Sequence, residues 1–289
     1  MKNVLQAFAF VYFKGYYLAI ILLIDSIIIY TINLNNTTNI YYSNHIINDN
    51  MNNIDNKFIE WLAGLIDGNG CFTFTGNDYC TFQITMPISD LDILVHIQQH
   101  LGGTVSPIKG VKACRIRIHN KNDLLRLVNL INGNIRNSKR IVQFQKLCNI
   151  LNVTYIPPFN LTKGSNWFTG YFDSDGCITA NLSKSSPTMT ISVSAKHSID
   201  LTPLLIFNGK IYYDKSSTGT YLWSIQNKPD ILNMLEYFKE CPSRTSKSNR
   251  ILLIQSYYNL KALNAHKAQS GTPLYNEWLS FISNWPKRL

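Results

Sequence analysis

The sequence predicts an α+β fold of two pseudo-symmetric halves, each with the element order αββαββα. Two observations lead to this prediction. A long segment occurs twice along the chain, and the strand-like runs of both copies alternate between apolar and polar residues. With 289 residues, the chain is long enough for two such halves, each with a core of its own.

The repeat is clearest around two acidic turns that contain glycine. Residues 58–74 read FIEWLAGLIDGNGCFTF, and residues 166–180 read NWFTGYFDSDGCITA. Their glycine, aspartate and cysteine landmarks lie about 106 positions apart. The stretch NSKR at 137–140 precedes an apolar helix, as TSKS does at 245–248. A long repeat with matching landmarks indicates two copies of one unit and not a solenoid.

Each copy begins with a short apolar helix that ends at the acidic turn. In the first copy, the pattern predicts strands at 71–76, 79–86, 104–108 and 112–119, and helices at 89–101, 121–131 and 138–151. In the second copy, it predicts strands at 176–183, 188–196, 210–214 and 220–226, a weaker helical segment at 199–207, and helices at 229–240 and 246–263. Apolar residues at helical spacing over 273–285 predict a C-terminal helix that packs on the second half.

Residues 1–56 precede the repeat. An apolar run at 16–32 is near the lower length limit of a membrane span and contains Asp25, which is costly inside a bilayer. A signal anchor or a remnant of upstream membrane-protein coding is favoured over a buried leader, and the Asn-rich stretch at 33–56 is typical of a linker. The predicted domains are the leader and linker at 1–56, a first half at 57–156, and a second half with the C-terminal helix at 157–289.

The composition is basic and has no disulfide or zinc pattern. The chain has 27 Lys and Arg against 17 Asp and Glu, a formal net charge of +10, although only 15% of its residues are charged. An excess of this kind suits a polyanionic partner such as nucleic acid or an anionic membrane surface. None of the six cysteines forms a CxxC pair, so we expect free thiols in a non-secretory compartment.

The predicted strands each have one apolar and one polar face. In the strand at 112–119, for example, Ile116 and Ile118 alternate with Arg115 and Arg117. A solvated sheet face is the simplest explanation. The near absence of acids on that face, the repeat and the net charge favour a surface that reads nucleic-acid bases in a major groove, where a two-stranded ribbon fits. The candidate nucleic-acid-binding residues are Thr73, Thr75, Thr81, Gln83, Thr85, Lys109, Lys112, Arg115, Arg117, His119, Thr179, Asn181, Thr190, Ser192, Lys196, Ser224 and Gln226.

The helices at the acidic turns carry small residues where they could meet. Gly64 in the first and Gly170 in the second occupy the same repeat position. Small side chains allow two helices to approach almost backbone to backbone. We therefore expect these helices to pair on a pseudo-twofold axis between the halves.

The nine residues at 62–70, LAGLIDGNG, resemble the signature of the LAGLIDADG family of intron-encoded endonucleases and maturases. The stretch FTGYFDSDG at 168–176 is a looser match in the same register. The resemblance covers roughly residues 57–289, and two motifs about a hundred residues apart are the single-chain arrangement of that family. It implies a saddle of antiparallel sheets with the motif helices at the interface, and a monomer that straddles double-stranded DNA.

The resemblance also implies which residues carry the chemistry. The last acidic position of each motif would bind a divalent cation, Mg²⁺ or another, beside the scissile phosphates. This position is Asp175 in the second motif but Asn69 in the first. A basic residue before the last helix of each half would assist: Lys247 in the second half and Lys139 in the first, with Arg140 as its rival. The earlier acids, Asp67 and Asp173, are expected to be structural.

Asn69 is a departure from the family pattern. Its amide is similar in shape to a carboxylate but carries no charge, so one of the two metal positions should be impaired. Reduced, single-strand or absent cleavage is expected, with duplex binding retained. A site-specific DNA endonuclease is the first hypothesis, an RNA maturase that assists its host intron without cutting is the second, and a decayed reading frame is the third. The family and the Asn, Ile and Tyr bias of the sequence suggest a mitochondrial gene product.

Overall fold

A computed structural model describes residues 54–76, 79–216 and 219–286. The leader and most of the linker predicted at 1–56 lie outside the described residues. Within the described ranges, none of the helices has the length and apolar character that a membrane span requires. All six cysteines fall within these ranges and are free thiols, as predicted.

The first half runs from α1 to α4. Its elements are α1 (Asn56–Asn69), β1 (Gly70–Thr75), β2 (Tyr79–Pro87), α2 (Leu91–Leu101), β3 (Thr104–Pro107), β4 (Ala113–Ile118), α3 (Lys121–Ile131) and α4 (Ser138–Leu151). A 3-10 turn, Ile88–Asp90, separates β2 from α2. Residues 152–166 contain no helix or strand and join this half to the next.

The second half repeats this order from α5 to α9. Its elements are α5 (Trp167–Asp175), β5 (Gly176–Asn181), β6 (Thr188–Ala195), β7 (Lys210–Asp214), β8 (Thr220–Ile225), α6 (Lys228–Glu240), α7 (Ser248–Ile251), α8 (Ile254–Ala262) and α9 (Pro273–Asn284). The C-terminal helix is present as predicted, with Trp278 and Phe281 buried.

Two predicted helices of the second half have a different form. The segment predicted at 199–207 is a 3-10 helix, Ser198–Phe207, and it contains Pro203, whose ring would clash with the carbonyl group four residues earlier in an α-helix. The helix predicted at 246–263 is divided into α7 and α8, with Leu252 and Leu253 between them. The chain turns more tightly where α7 begins, since Ser248 N donates to Thr245 O and Arg250 N to Lys247 O.

Short polar side chains fix where several helices begin. Asp55 caps α1, Asn120 caps α3, Asn137 caps α4 and Asn227 caps α6, each by accepting a hydrogen bond from a backbone N–H of the first turn. Such caps satisfy donors that a helix leaves unpaired at its N-terminus. The beginnings of these helices are therefore set by local sequence.

Each half contains one four-stranded antiparallel sheet. The strand orders are β1-β2-β4-β3 and β5-β6-β8-β7, so the two sheets have the same topology. In the first sheet, the register places Phe72 opposite Phe82, and Phe82 opposite Ile118, all of them buried. These residues form the apolar face that packs on the helices, and the alternating residues form the opposite, polar face. The predicted α+β fold of two pseudo-symmetric halves is confirmed.

The motif helices α1 and α5 form the interface between the halves. A methyl group added at Gly64 would overlap the carbonyl oxygen of Trp167 and lie 2.7 Å from Tyr171 N. A methyl group added at Gly170 would overlap the carbonyl oxygen of Trp61 and lie 2.8 Å from Leu65 N. The predicted contact, backbone against backbone, is therefore present at both glycines.

Crossed tryptophan–aspartate hydrogen bonds flank this contact. Trp61 Nε1 in α1 donates to Asp173 Oδ2 in α5 at 2.9 Å, and Trp167 Nε1 in α5 donates to Asp67 Oδ2 in α1 at 2.8 Å. All four side chains are buried. Because each bond joins one half to the other, Asp67 and Asp173 stabilise the interface, in agreement with their expected structural role.

The two carboxylates differ in how well they are satisfied. Asp173 also accepts hydrogen bonds from Arg244 N at 2.9 Å, from Thr245 Oγ1 at 2.8 Å and from Ser243 Oγ. Asp67 accepts one further bond, from Arg136 N at 2.8 Å, and its Oδ1 has no hydrogen-bond partner among the described residues. Burial raises the pKa of Asp67 to about 7, which the hydrogen bonds from Arg136 and Trp167 only partly oppose.

We expect Gly64→Ala to lower the free energy of unfolding by at least about 2 kcal/mol, because its methyl group would have to displace backbone atoms of α5. Urea denaturation followed by circular dichroism measures this loss. Gly164→Ala is the matched control, since a methyl group there meets nothing within 4 Å and should cause no loss. Equal midpoints for the two variants would contradict the close helix contact.

The pKa of Asp67 predicts a pH-dependent stability. The pKa of this carboxyl group is about 7 in the folded state, against the ordinary value of 3.8 that we take for the unfolded state, so the folded protein binds the proton more tightly. Its contribution to the free energy of unfolding is therefore fully present below about pH 4 and is lost as the pH rises towards 7. Asp67→Asn cannot ionise. The wild type should therefore lose stability relative to this variant by up to about 1.4 kcal/mol per pH unit across that window. Parallel pH profiles of the two unfolding free energies would exclude a raised pKa.

Candidate functional site

The last turns of the two motif helices converge at the interface. Asn69 ends α1 and Asp175 ends α5, and both side chains are half-buried. A methyl group added at Gly68 would overlap Ser174 and lie 2.6 Å from Asp175 Oδ2, so the end of α1 touches the end of α5. The structure therefore brings the predicted metal-binding positions to the same side of the interface.

Lys247 lies beside the end of α5. Its Nζ donates to Phe172 O and Ser174 O, both at 2.9 Å. Ser174 O belongs to the last turn, which has no partner within the helix, whereas Phe172 O also accepts from Gly176 N. Burial lowers the pKa of Lys247, against the opposing charges of Asp173 and Asp175. Burial likewise raises the pKa of Asp175, while the positive charges of Lys247 and Arg140 lower it. A carboxylate and an ammonium group thus influence each other's charge in a partly desolvated setting, without a direct contact between them.

In the first half, Arg140 and not Lys139 takes the equivalent place. Arg140 Nε donates to Ile66 O at 3.2 Å and Nη2 to Gly68 O at 3.4 Å, the counterparts of the two carbonyls that Lys247 meets. Lys139 is exposed. The predicted choice of Lys139 is therefore corrected. The physical reason is that α4 begins directly after the Asn137 cap, whereas the chain around Lys247 is still in tight turns, which shifts the side chains by one position.

A cleft of about 680 Å³ opens beside these helix ends. Asn69, Ser174, Cys177 and Lys247 are among the residues that line it. Within the described ranges, no three His, Cys, Asp or Glu side chains cluster as a metal site. Asp175 fits a hard dication whose other ligands are water and phosphate oxygens, because a single carboxylate is a common protein contribution to such sites. Asn69 fits poorly, since it offers only a neutral amide oxygen.

The polar face of the first sheet presents the predicted binding residues. The strand register aligns Gln83 with Arg117 and Thr104, and Thr85 with Arg115 and Ser106. Arg117 is exposed, and Arg115 is half-buried because its Nε donates to Thr85 Oγ1 at 3.1 Å. The other predicted residues of this half are exposed or half-buried as well: Thr73, Thr75, Thr81, Lys109, Lys112 and His119. A concavity of about 470 Å³ lies on this face between Lys109, Arg115, Arg117 and His119.

The second sheet has a similar but less basic face. Its exposed or half-buried predicted residues are Thr179, Asn181, Thr190, Ser192, Lys196 and Gln226. Ser224 lies on this face but is only 8% exposed, because the register places it between Ser192 and Lys210 in the middle of the sheet. We therefore withdraw Ser224 as a binding residue. Asp214, at the end of β7, is the one acid within the described strands.

Alternation in the edge strands indicates further residues on these faces. Thr104 and Ser106 in β3, and Lys210 and Tyr212 in β7, share the polar face and are exposed. The sequence prediction omitted them because both strands are short. Gly103 and Gly209 mark where these strands begin, and alternation counted from these glycines would have indicated the four residues.

Comparison with known proteins agrees with this architecture. The family model described as LAGLIDADG endonuclease matches residues 62–151 and again 168–258. The chain is 40% identical over 259 residues to a Debaryomyces hansenii protein named "Probable intron-encoded endonuclease aI2", covering 84% of this chain. It is 45% identical over 233 residues to the Saccharomyces cerevisiae protein named "Intron-encoded RNA maturase bI4", covering 79% of this chain. The chain spans 39% and 36% of the length of these two relatives.

A solved structure shows the same fold. It is that of I-SmaMI bound to an uncleaved DNA target in the presence of calcium ions, with a TM-score of 0.58 and 16% sequence identity. The match covers 78% of this chain and 98% of that one. Two motif copies, their pairing at Gly64 and Gly170, and a family model that matches both halves lead to one conclusion: this chain belongs to the LAGLIDADG endonuclease family.

Proposed function

We propose that this protein binds a DNA duplex across its two polar sheet faces and hydrolyses a phosphodiester bond at the junction of α1 and α5. The observation that carries the proposal is the half-buried Asp175 with Lys247 beside it, at the point where the two motif helices end together. Net charge and the basic first sheet support a polyanionic partner. One copy of the chain supplies both halves, so we propose a monomer.

Asp175 would hold a divalent cation, which we propose to be Mg²⁺. A bound dication supplies an activated water and stabilises the leaving oxygen. Side chains of the protein would supply the positive charges around the phosphate. Lys247, held by two carbonyl groups, would direct its ammonium group towards the phosphate. Arg140 would present a permanent positive charge at the end of α1, where Lys247 presents a titratable one at the end of α5.

Asn69 makes the proposed centre unequal. The first half lacks the carboxylate that a hard dication prefers, whereas the second half retains it. We therefore propose that cleavage is weak and is directed to one strand. Binding to the duplex does not depend on this side chain, because the polar sheet faces lie on other elements.

A second candidate function is that of an RNA maturase. Two observations favour it: Asn69 weakens the catalytic centre, and the chain is 45% identical to a relative named as an intron-encoded RNA maturase. In this case, the polar faces would bind the host intron RNA without cutting it. For either function, we propose an intron-encoded product that acts in the mitochondrion.

We expect Asn69→Asp to raise cleavage of the second strand at least about ten-fold, because the variant restores a charged ligand. The substrate is a supercoiled plasmid that carries a target selected from random duplexes by binding to this chain. With Mg²⁺, the wild type should give nicked circles, and Asn69→Asp should give linear product. Asn69→Gln, which keeps an uncharged amide, is the matched control, and Asp175→Asn should abolish nicking. Linear product from the wild type, unimproved by Asn69→Asp, would refute the impaired centre.

Arg117→Ala should weaken binding to the selected duplex and reduce the slope of log K against log salt by about 1, since one phosphate contact is lost. Fluorescence anisotropy at several salt concentrations measures both quantities. Lys239→Ala is the matched control, because Lys239 lies on α6 and pairs with Glu236 away from the sheets. The same titration with intron RNA separates the two candidate functions. If both variants lower the slope equally, the sheet face is not the binding surface.

A further inference from the structure

Two buried carboxylates outside the motifs accept hydrogen bonds from the opposite half. Asp90 ends the 3-10 turn after β2, and its Oδ1 accepts a hydrogen bond from Ser246 N of the second half at 2.8 Å. Asp200 belongs to the 3-10 helix after β6, and its Oδ1 accepts a hydrogen bond from Ser138 N of the first half at 2.7 Å. They are 7% and 6% exposed, so each bond is shielded from water and is costly to break.

The backbone donors of these hydrogen bonds lie next to the basic groups of the site. Ser246 is the residue before Lys247, and Ser138 lies two residues before Arg140. Asp90 also contributes to the cleft that Lys247 lines, and Ser246 Oγ lies 3.5 Å from its Oδ2. Each carboxylate thus fixes the backbone from which the basic side chain of the opposite half extends.

The same two segments are held a second time, from within their own half. Asp173 accepts from Arg244 N, and Asp67 accepts from Arg136 N, in each case two residues before the serine. Each segment is therefore held at two backbone N–H groups by carboxylates from different halves. Neither bond would be sufficient alone, because a segment held at a single N–H group could still rotate about it and move the basic side chain.

We propose that Asp90 and Asp200 are positioning residues, each of which sets the placement of the basic group in the opposite half: Asp90 that of Lys247, and Asp200 that of Arg140. The placement itself is a property of the fold, whereas its consequence for cleavage rests on the proposed function. A purely structural role would loosen the interface as a whole. A positioning role loosens one basic group and leaves the other in place.

Chemical labelling of the free protein, without metal or nucleic acid, tests the placement. An amine-reactive reagent reports on Lys247 and a dicarbonyl reagent on Arg140, with both sites quantified by mass spectrometry. Losing one buried, charge-assisted hydrogen bond should raise the population of the released side chain about ten-fold. Asp90→Ala should therefore raise the labelling rate of Lys247 about ten-fold and leave that of Arg140 unchanged. Asp200→Ala should do the reverse.

Three further variants make the result decisive. Asp92→Ala removes an exposed acid in the first turn of α2 and should change neither rate. Asp90→Asn and Asp200→Asn keep an acceptor oxygen of the same shape but lose the charge, so each should raise the labelling rate of the same basic group by less than its alanine variant does and leave the other group unchanged. They carry the test if an alanine variant does not fold. Equal increases at both sites, or no increase at either, would overturn the proposal.

Cleavage of the selected duplex gives a separate readout. In the Asn69→Asp background, which should cut both strands, Asp90→Ala and Asp200→Ala should change the ratio of the two strand-nicking rates in opposite directions, since each acts on the basic group of one half. If neither the wild type nor Asn69→Asp cuts the duplex, the proposed function fails while the labelling result still decides the placement. If cutting occurs and both alanine variants slow the two strands equally, the positioning role fails.

Discussion

The contact between α1 and α5 at Gly64 and Gly170 is the constraint on which the rest of the structure depends. Because no side chain separates the helices there, their carbonyl groups and backbone nitrogens define the distance between the halves. This distance brings Trp61 within reach of Asp173 and Trp167 within reach of Asp67. It also brings the two helix ends together, so that side chains from different halves lie at one place.

The two halves share a fold but differ in how completely their polar groups are satisfied. Asp173 is surrounded by donors from Ser243 and Thr245, which have no counterparts of the same kind around Asp67. The same half that satisfies its buried acid also retains the carboxylate at position 175. The first half combines a poorly satisfied Asp67 with the uncharged Asn69. The incompletely hydrogen-bonded buried acid and the uncharged residue at the proposed metal position therefore lie in the same half.

Much of this architecture could be predicted from the sequence because its signals are local or repeated. Strand alternation gave the correct polar faces, and the two motifs placed Asn69 and Asp175 together. The choice between Lys139 and Arg140 could not be predicted, since it depends on whether a helix or a tight turn follows the Asn137 cap. The burial of Ser224 depends on its neighbours in adjacent strands. The bonds of Asp90 and Asp200 join positions 156 and 62 residues apart, for which no local pattern exists.

The segment at 152–166, which joins the halves, has a genetic consequence. In a homodimer of one-motif subunits, a codon change from Asp to Asn would remove both carboxylates of the shared centre at once. Covalent fusion of the two units allows each to mutate alone, so one inherited acid can disappear while its partner persists. A chain with a carboxylate at one helix end and an amide at the other is therefore accessible in a single mutational step.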